Sequence, residues 1–286
     1  IVYLTDVTIA DSVVYGIWPI GSTIYLSGSV TFINEKTPLA TFEGIVFNRT
    51  MLGLIGTTLV FENMTLVLEG LRVGLTTGYG VHLINTELSL NDLILTGNEY
   101  GIYLENSTLE VNRTLSVTGN TYGIYLESGE LTINVDEISI STNKYGIYAP
   151  TYDLVIYSTV VSITTNDYGL YVSRIAIDAT NASLIGNNYT FYAEDVDITV
   201  SGTLTIHANL YCMNASTVDI DVADLTITNN TYGIKAFDGD IAVAGDISIF
   251  YNQYGIYLES GSVSVHGAIA QIVSNDIGIY APTVYL

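Results

Sequence analysis

The chain has 286 residues, with 7 Lys and Arg against 29 Asp and Glu, a formal charge of −22 at pH 7. That balance argues against nucleic acid as a partner and against anionic membrane surfaces. Mean hydropathy is +0.40, yet no uninterrupted apolar run reaches the roughly 18 residues of a membrane span, so none is predicted.

In chain order, Ile1-Val-Tyr-Leu4 opens in strand-like sequence with no signal peptide ahead of it, as in a mature or trimmed chain. A glycine-centred phrase then starts at Tyr15-Gly16-Ile17-Trp18 and is traced loosely through Thr37 (in Asn34 to Ala40) and Leu59. It becomes regular at Gly80, Gly101, Gly123, Gly146 and Gly169, passes through Thr190 and Cys212, and resumes at Gly233, Gly255 and Gly278. The spacing of about 21 to 23 residues is a solenoid period, and it gives about thirteen turns over a single domain, residues 1–286.

Each unit reads as three short strands. Between Gly123 and Tyr145, apolar and polar residues alternate in three stretches separated by Gly, Asn, Asp and Ser, with only 4 Pro in the whole chain. The recurring Asn-x-Tyr-Gly-Ile-Tyr phrase and its three-strand coil resemble the right-handed parallel β-helix of pectate lyases, phage tailspikes and many surface proteins. The resemblance implies an all-β fold. It leaves function open, because such folds host unrelated activities.

Stacking turns each repeat position into a column. The residue after the glycine (Ile17, Pro38, Val60, Val81, Ile102, Ile124, Ile147, Leu170, Phe191, Met213, Ile234, Ile256, Ile279) is the predicted core. Three residues before the glycine stands an Asn column, from Asn34 through Asn98 to Asn275, read as a structural ladder at a left-handed turn. Two residues after the glycine, Tyr103, Tyr125, Tyr148 and Tyr171 belong to an outward stripe. It is either a sugar-binding face or a stack that stiffens the coil. The orientation of the other column, Tyr100 to Tyr254, is not fixed by the pattern.

Chemistry finds little support. The bases Lys36, Arg49, Arg72, Arg113, Lys144, Arg174 and Lys235 are scattered, so a polysaccharide lyase or hydrolase ranks last and the chain is read as a non-enzyme. His82, His207 and His266 lie rungs apart, too far to share a metal. Acidic groupings at Glu194 to Asp197, Asp219 to Asp224 and Asp238 to Asp240 offer oxygen ligands for Ca²⁺, with solvated surface charge as the favoured alternative. No other cofactor is implied. Cys212 has no partner and reads as a small buried residue.

Sequons at Asn48, Asn63, Asn106, Asn112, Asn181, Asn188, Asn214 and Asn229 favour a secreted, cell-surface glycoprotein, and the Tyr-, Thr- and Ile-rich composition resembles archaeal surface proteins. Tyr122 to Gly129 recurs as Tyr254 to Gly261, a sign of block duplication. At the ends, Ile1, Val2, Tyr3 and Leu4 and then Thr283, Val284, Tyr285 and Leu286 form uncapped strands. Gly278 to Gly16 of a second copy counts about 24 residues, near one rung, so these strands either join copies head to tail or are the trimmed ends of a longer β-helix. The leading expectation is therefore an extracellular structural protein, a homopolymer stacked head to tail into a filament with an axial repeat of about 60 Å. The alternative is a glycan-binding adhesive module using the Tyr stripe.

Overall fold

The computed structural model describes residues 1–286, and all of its regular structure is strand. The strands pair in parallel as a β-solenoid of about 13 turns, with a spacing of about 22 residues. By internal packing the chain falls into two compact units, Ile1–Thr132 and Ile133–Leu286.

Unit 1 carries β1 (Val2–Ala10), β2 (Ile24–Ile33), β3 (Ile45–Ile55), β4 (Leu59–Glu62), β5 (Thr65–Gly74), β6 (Tyr79–Ile84), β7 (Glu87–Thr96), β8 (Tyr100–Glu105), β9 (Ser107–Thr118) and β10 (Tyr122–Leu126). β11 (Gly129–Ser141) crosses the division between the units. Unit 2 carries the long strands β12 (Tyr145–Thr164) and β13 (Tyr168–Ile185), then β14 (Tyr189–Tyr192), β15 (Asp195–His207) and β16 (Tyr211–Thr228). It ends with β17 (Tyr232–Asp238), β18 (Asp240–Val243), β19 (Ile247–Phe250), β20 (Tyr254–Leu258), β21 (Ser262–Val265), β22 (Ala270–Val273), β23 (Ile277–Tyr280) and β24 (Thr283–Tyr285).

The three strands expected per rung are often fused into one or two elements, and the reason is visible in the side-chain parity. In β7, Leu88 and Leu90 point inward, then Leu93 and Leu95 do. The step from 90 to 93 breaks the alternation, and the pairing of β7 with β9 slips at the same place. A corner thus costs one residue of register while the backbone ladder continues around it. β12 does this twice within 20 residues, burying Ile147 and Ala149, then Leu154 and Ile156, then Val161 and Ile163.

In unit 2 the column after the glycine stacks as expected: Ile147, Leu170, Phe191, Met213, Ile234, Ile256 and Ile279 pair rung on rung. All but the last are fully buried, each such side chain contributing about 1.5–3 kcal/mol of transfer free energy. Unit 1 corrects two assignments. Ile17 bridges to Leu39, not Pro38, and Leu59, not Val60, stacks on Val81. Val60 consequently faces solvent and Phe61 is buried. A constant period misplaces both, because the early rungs differ in length by a residue or two.

The glycine itself is demanded by a close approach. A Cβ at Gly101 would lie 2.5 Å from the carbonyl oxygen of Gly123, and one at Gly233 would meet that of Gly255 at the same distance. At Thr190 and Cys212 a small side chain is accommodated, with the Cys212 thiol buried against Thr190 and its pKa pushed up to about 12 by desolvation.

Candidate functional site

The most ordered feature is a buried polar ladder. In unit 2, Asn166, Asn187, Asn209, Asn230 and Asn252 stand on successive rungs, all buried. Each Oδ1 accepts from both the backbone N–H and the Nδ2 of the Asn one rung earlier: Asn187 reaches Asn209 at 2.9 and 3.2 Å, and Asn209 reaches Asn230 at 2.8 and 3.1 Å. Each Nδ2 also donates to a main-chain carbonyl, as Asn209 does to Leu184 at 2.8 Å. The left-handed residue is not the Asn. It is the one before it: Thr165, Gly186, Ala208, Asn229, Tyr251 and Ser274 have φ of 56 to 68°. Reversing the chain one residue early lets the amide point into the stack, where its bonds hold the strained neighbour in place.

Unit 1 builds the head of its ladder differently. Asn98 donates to Asn120 in the same way, at 3.0 and 2.9 Å, but Thr76 and Thr57 take the position in earlier rungs. Asn34, expected in the ladder, adopts the turn conformation itself (φ 52°) and is exposed. Glu35 is the buried residue, accepting from Ser12 N through Oε1 at 2.9 Å, while its Oε2 has no partner. A second, exposed Asn ladder runs along another corner of unit 1, from Asn106 to Asn85 (2.8 Å) to Asn63 (3.2 Å), and these three do have positive φ.

Both Tyr columns lie on the outside and are mostly half-buried. In unit 2, Tyr145, Tyr168, Tyr189, Tyr211, Tyr232 and Tyr254 stack ring on ring at 4.6–5.1 Å and 4–10°. Tyr148, Tyr171 and Tyr192 form the adjacent column. It is interrupted by Asn214 and Lys235 and resumes at Tyr257 and Tyr280. In unit 1, Tyr103 stacks on Tyr125 at 4.9 Å, with His82 edge-on to it. Tyr171 carries a ring on either face, so solvent meets ring edges and hydroxyls. A sugar seeking a ring face there would have to displace a neighbour. Burial raises the phenols of Tyr100, Tyr103, Tyr171, Tyr189, Tyr232 and Tyr257 above the ordinary 10.0, and for Tyr103 a hydrogen bond to Glu127 adds to it.

Four of the seven bases are engaged. Arg113 bonds Asp92 through Nε at 2.8 Å and approaches Glu69 at 3.4 Å, and the guanidinium holds Asp92 below its usual 3.8. Arg174 pairs with Asp195 at 3.1 Å. Lys144 lies over Tyr145, and Lys235 over Tyr211 and Tyr232. The acidic groupings share an outer face of unit 2, where Asp197 pairs with Asp219 and Asp219 accepts from Asp240 N at 2.9 Å. No three carboxylate, imidazole or thiol groups converge as a metal site would require. The shallow cavities on the surface include one of about 490 Å³ beside Trp18, Thr41 and Glu43 and one of about 240 Å³ beside Asp153, Arg174 and Asp197.

Two open edges remain. β1 pairs only with β2, so its inward residues Leu4, Val7 and Ile9 are just half-buried and Tyr3 is 71% exposed. In unit 2, β22, β23 and β24 each pair on one side only, leaving Val273, Tyr280, Tyr285 and Leu286 exposed. Of the sequon asparagines, Asn48, Asn63, Asn106, Asn112, Asn181, Asn188 and Asn229 are exposed and Asn214 is half-buried. Comparison with protein-family models, curated proteins and solved structures finds no match to this chain.

Proposed function

We propose that this chain is an extracellular structural subunit, glycosylated on its outward asparagines, that associates end to end with copies of itself into a surface filament. The observation carrying this reading is the pair of open edges: unpaired backbone groups beside exposed apolar side chains are a template for another parallel rung. A heterologous contact of this kind propagates rather than closes. The polar ladder offers a matching seam. Asn252 donates to Asn275 at 2.9 Å, so the next acceptor along the coil belongs to whatever covers Asn275. Ser12, whose N–H already donates to Glu35 as each ladder residue does to the next, presents a hydroxyl in that position.

The register makes the seam specific. β24 stacks on β21, so Val284-Tyr285-Leu286 fills the strand position ahead of the next ladder residue. Val2-Tyr3-Leu4 holds the same position ahead of Ser12. When Ser12 of one copy is set over Asn275 of another, the two identical tripeptides meet in one slot and one must withdraw.

The test is sedimentation velocity and electron microscopy of the full chain across concentration and salt. Association should strengthen with ionic strength, which screens the −22 charge. Tyr3→Asp should weaken it, and removing Thr283 to Leu286 should strengthen it by vacating the slot. Monomers under every condition would overturn the proposal.

A further inference from the structure

We propose that Tyr211 and Tyr232 form an oxidative cross-linking site, coupled carbon to carbon into a dityrosine that ties two consecutive rungs of unit 2 together. The two residues are paired in register on neighbouring strands, and their rings lie 4.9 Å apart and 5° from parallel. In-register pairing and near-parallel planes bring the two rings face to face one rung apart before any reaction.

What distinguishes this pair from the rest of the column is its flank. Joining ortho carbons requires the stacked rings to twist against one another. Tyr145, Tyr168, Tyr189 and Tyr254 are each held by an edge-on ring of the second column, at 5.2, 5.8, 5.9 and 5.8 Å. Beside Tyr211 and Tyr232 that column carries Asn214 and Lys235 instead. Lys235 lies over both rings, at 5.8 and 5.2 Å, on a flexible stem that yields easily. The freedom to twist is concentrated at the one gap. The chain also has no other covalent staple, since Cys212 is alone and buried.

The chemistry needs a one-electron oxidant, such as a haem peroxidase using hydrogen peroxide. Each phenol loses an electron and its hydroxyl proton, and the two phenoxyl radicals join through ortho carbons. The ring hydrogens at the new bond then return to the oxygens. The product lacks two hydrogen atoms, which reduce one peroxide to two waters.

The test treats the full chain, dilute enough to be monomeric, with a haem peroxidase and hydrogen peroxide, followed by cleavage at aspartates and mass spectrometry. The expected product joins Tyr211 to Tyr232 within one molecule, with dityrosine fluorescence. Tyr211→Phe should abolish that product. Lys235→Phe, which restores an edge-on ring unable to couple, should reduce it several-fold while leaving the circular dichroism unchanged. Cross-links spread evenly along the column, confined to contacts between molecules at exposed Tyr157, Tyr251 or Tyr285, or indifferent to Lys235→Phe would each overturn the assignment.

Discussion

The same interior turn is built with amides throughout unit 2 and with hydroxyls and a carboxyl in the first rungs of unit 1. An Asn side chain offers an oxygen that takes two donors from the rung before and a nitrogen that reaches main-chain carbonyls. A Thr hydroxyl at that position takes one donor and gives one: Thr57 accepts from Glu35 N and donates to Ile55 O. Glu35 takes one donor on one oxygen and leaves the other bare. Repeating a single residue type therefore does more than save sequence. Only the amide fills every place in the network, although the left-handed residue before it, Thr142, Thr165 or Tyr251 there, has a counterpart in Leu75 before Thr76.

The largest effect should come from breaking the amide run in its middle. Asn209→Ala removes the acceptor used by Asn187 N and Nδ2 and the donor to the Leu184 carbonyl. Leaving buried groups of this kind unsatisfied costs about 1–3 kcal/mol each, so a loss of about 3 kcal/mol or more is expected in urea unfolding. Asn209→Thr, which copies the unit 1 solution, should recover part of it. A loss below 1 kcal/mol for Asn209→Ala would mean that water replaces the amide and that the two constructions are equivalent.

The second test uses the Tyr columns, longer in unit 2 than in unit 1. Phenols raised above 10.0 by burial keep their protons in the folded chain when the unfolded chain has begun to release them. Below pH 10 both states are protonated and nothing is felt. From pH 10 upward the unfolded state binds fewer protons, so stability falls until the folded phenols titrate in turn. Because Tyr171, Tyr189, Tyr232 and Tyr257 lie in unit 2 and Tyr100 and Tyr103 in unit 1, both units should lose stability over this range. Phenolate absorbance followed beside hydrogen exchange would show it, and titration of these rings at the ordinary value with both units still protected would refute it.

How far these features could be read beforehand depends on what the repeat preserves. The core column of unit 2 was legible because residue type and spacing hold together from Ile147 to Ile279. In unit 1 the spacing drifts while the residues stay apolar, so a period alone put Pro38 and Val60 where Leu39 and Leu59 belong. The Asn column was legible as a ladder, but the left-handed conformation expected of it belongs to the residue before, because Asn suits both a left-handed turn and a buried ladder. Composition does not decide between them; the residue before it gives a signal only where it is Gly, at 97, 119 and 186. The orientation of Tyr100 to Tyr254 could not be read because it sits at a parity break. The unpaired carboxyl had no signature at all, since Glu35 stands next to the Asn34 that the repeat pattern selected.

That carboxyl gives the smallest and most pointed test. Glu35→Gln keeps the oxygen that accepts from Ser12 N and replaces the bare Oε2 with an amide nitrogen, the group that completes the ladder elsewhere. Gly16 Cα, the Phe32 ring and the Pro38 carbonyl crowd this point, and the carbonyl is an acceptor within the same small space. An unmade buried hydrogen bond costs more than a made one contributes, so the exchange should stabilise the chain by about 1 kcal/mol. Glu35→Thr, matching Thr57 one rung on, should fall between the two. If Glu35→Gln instead destabilises, the bare oxygen has a partner that the isolated chain lacks, and the difference between the units would be one of binding rather than of imperfect repetition.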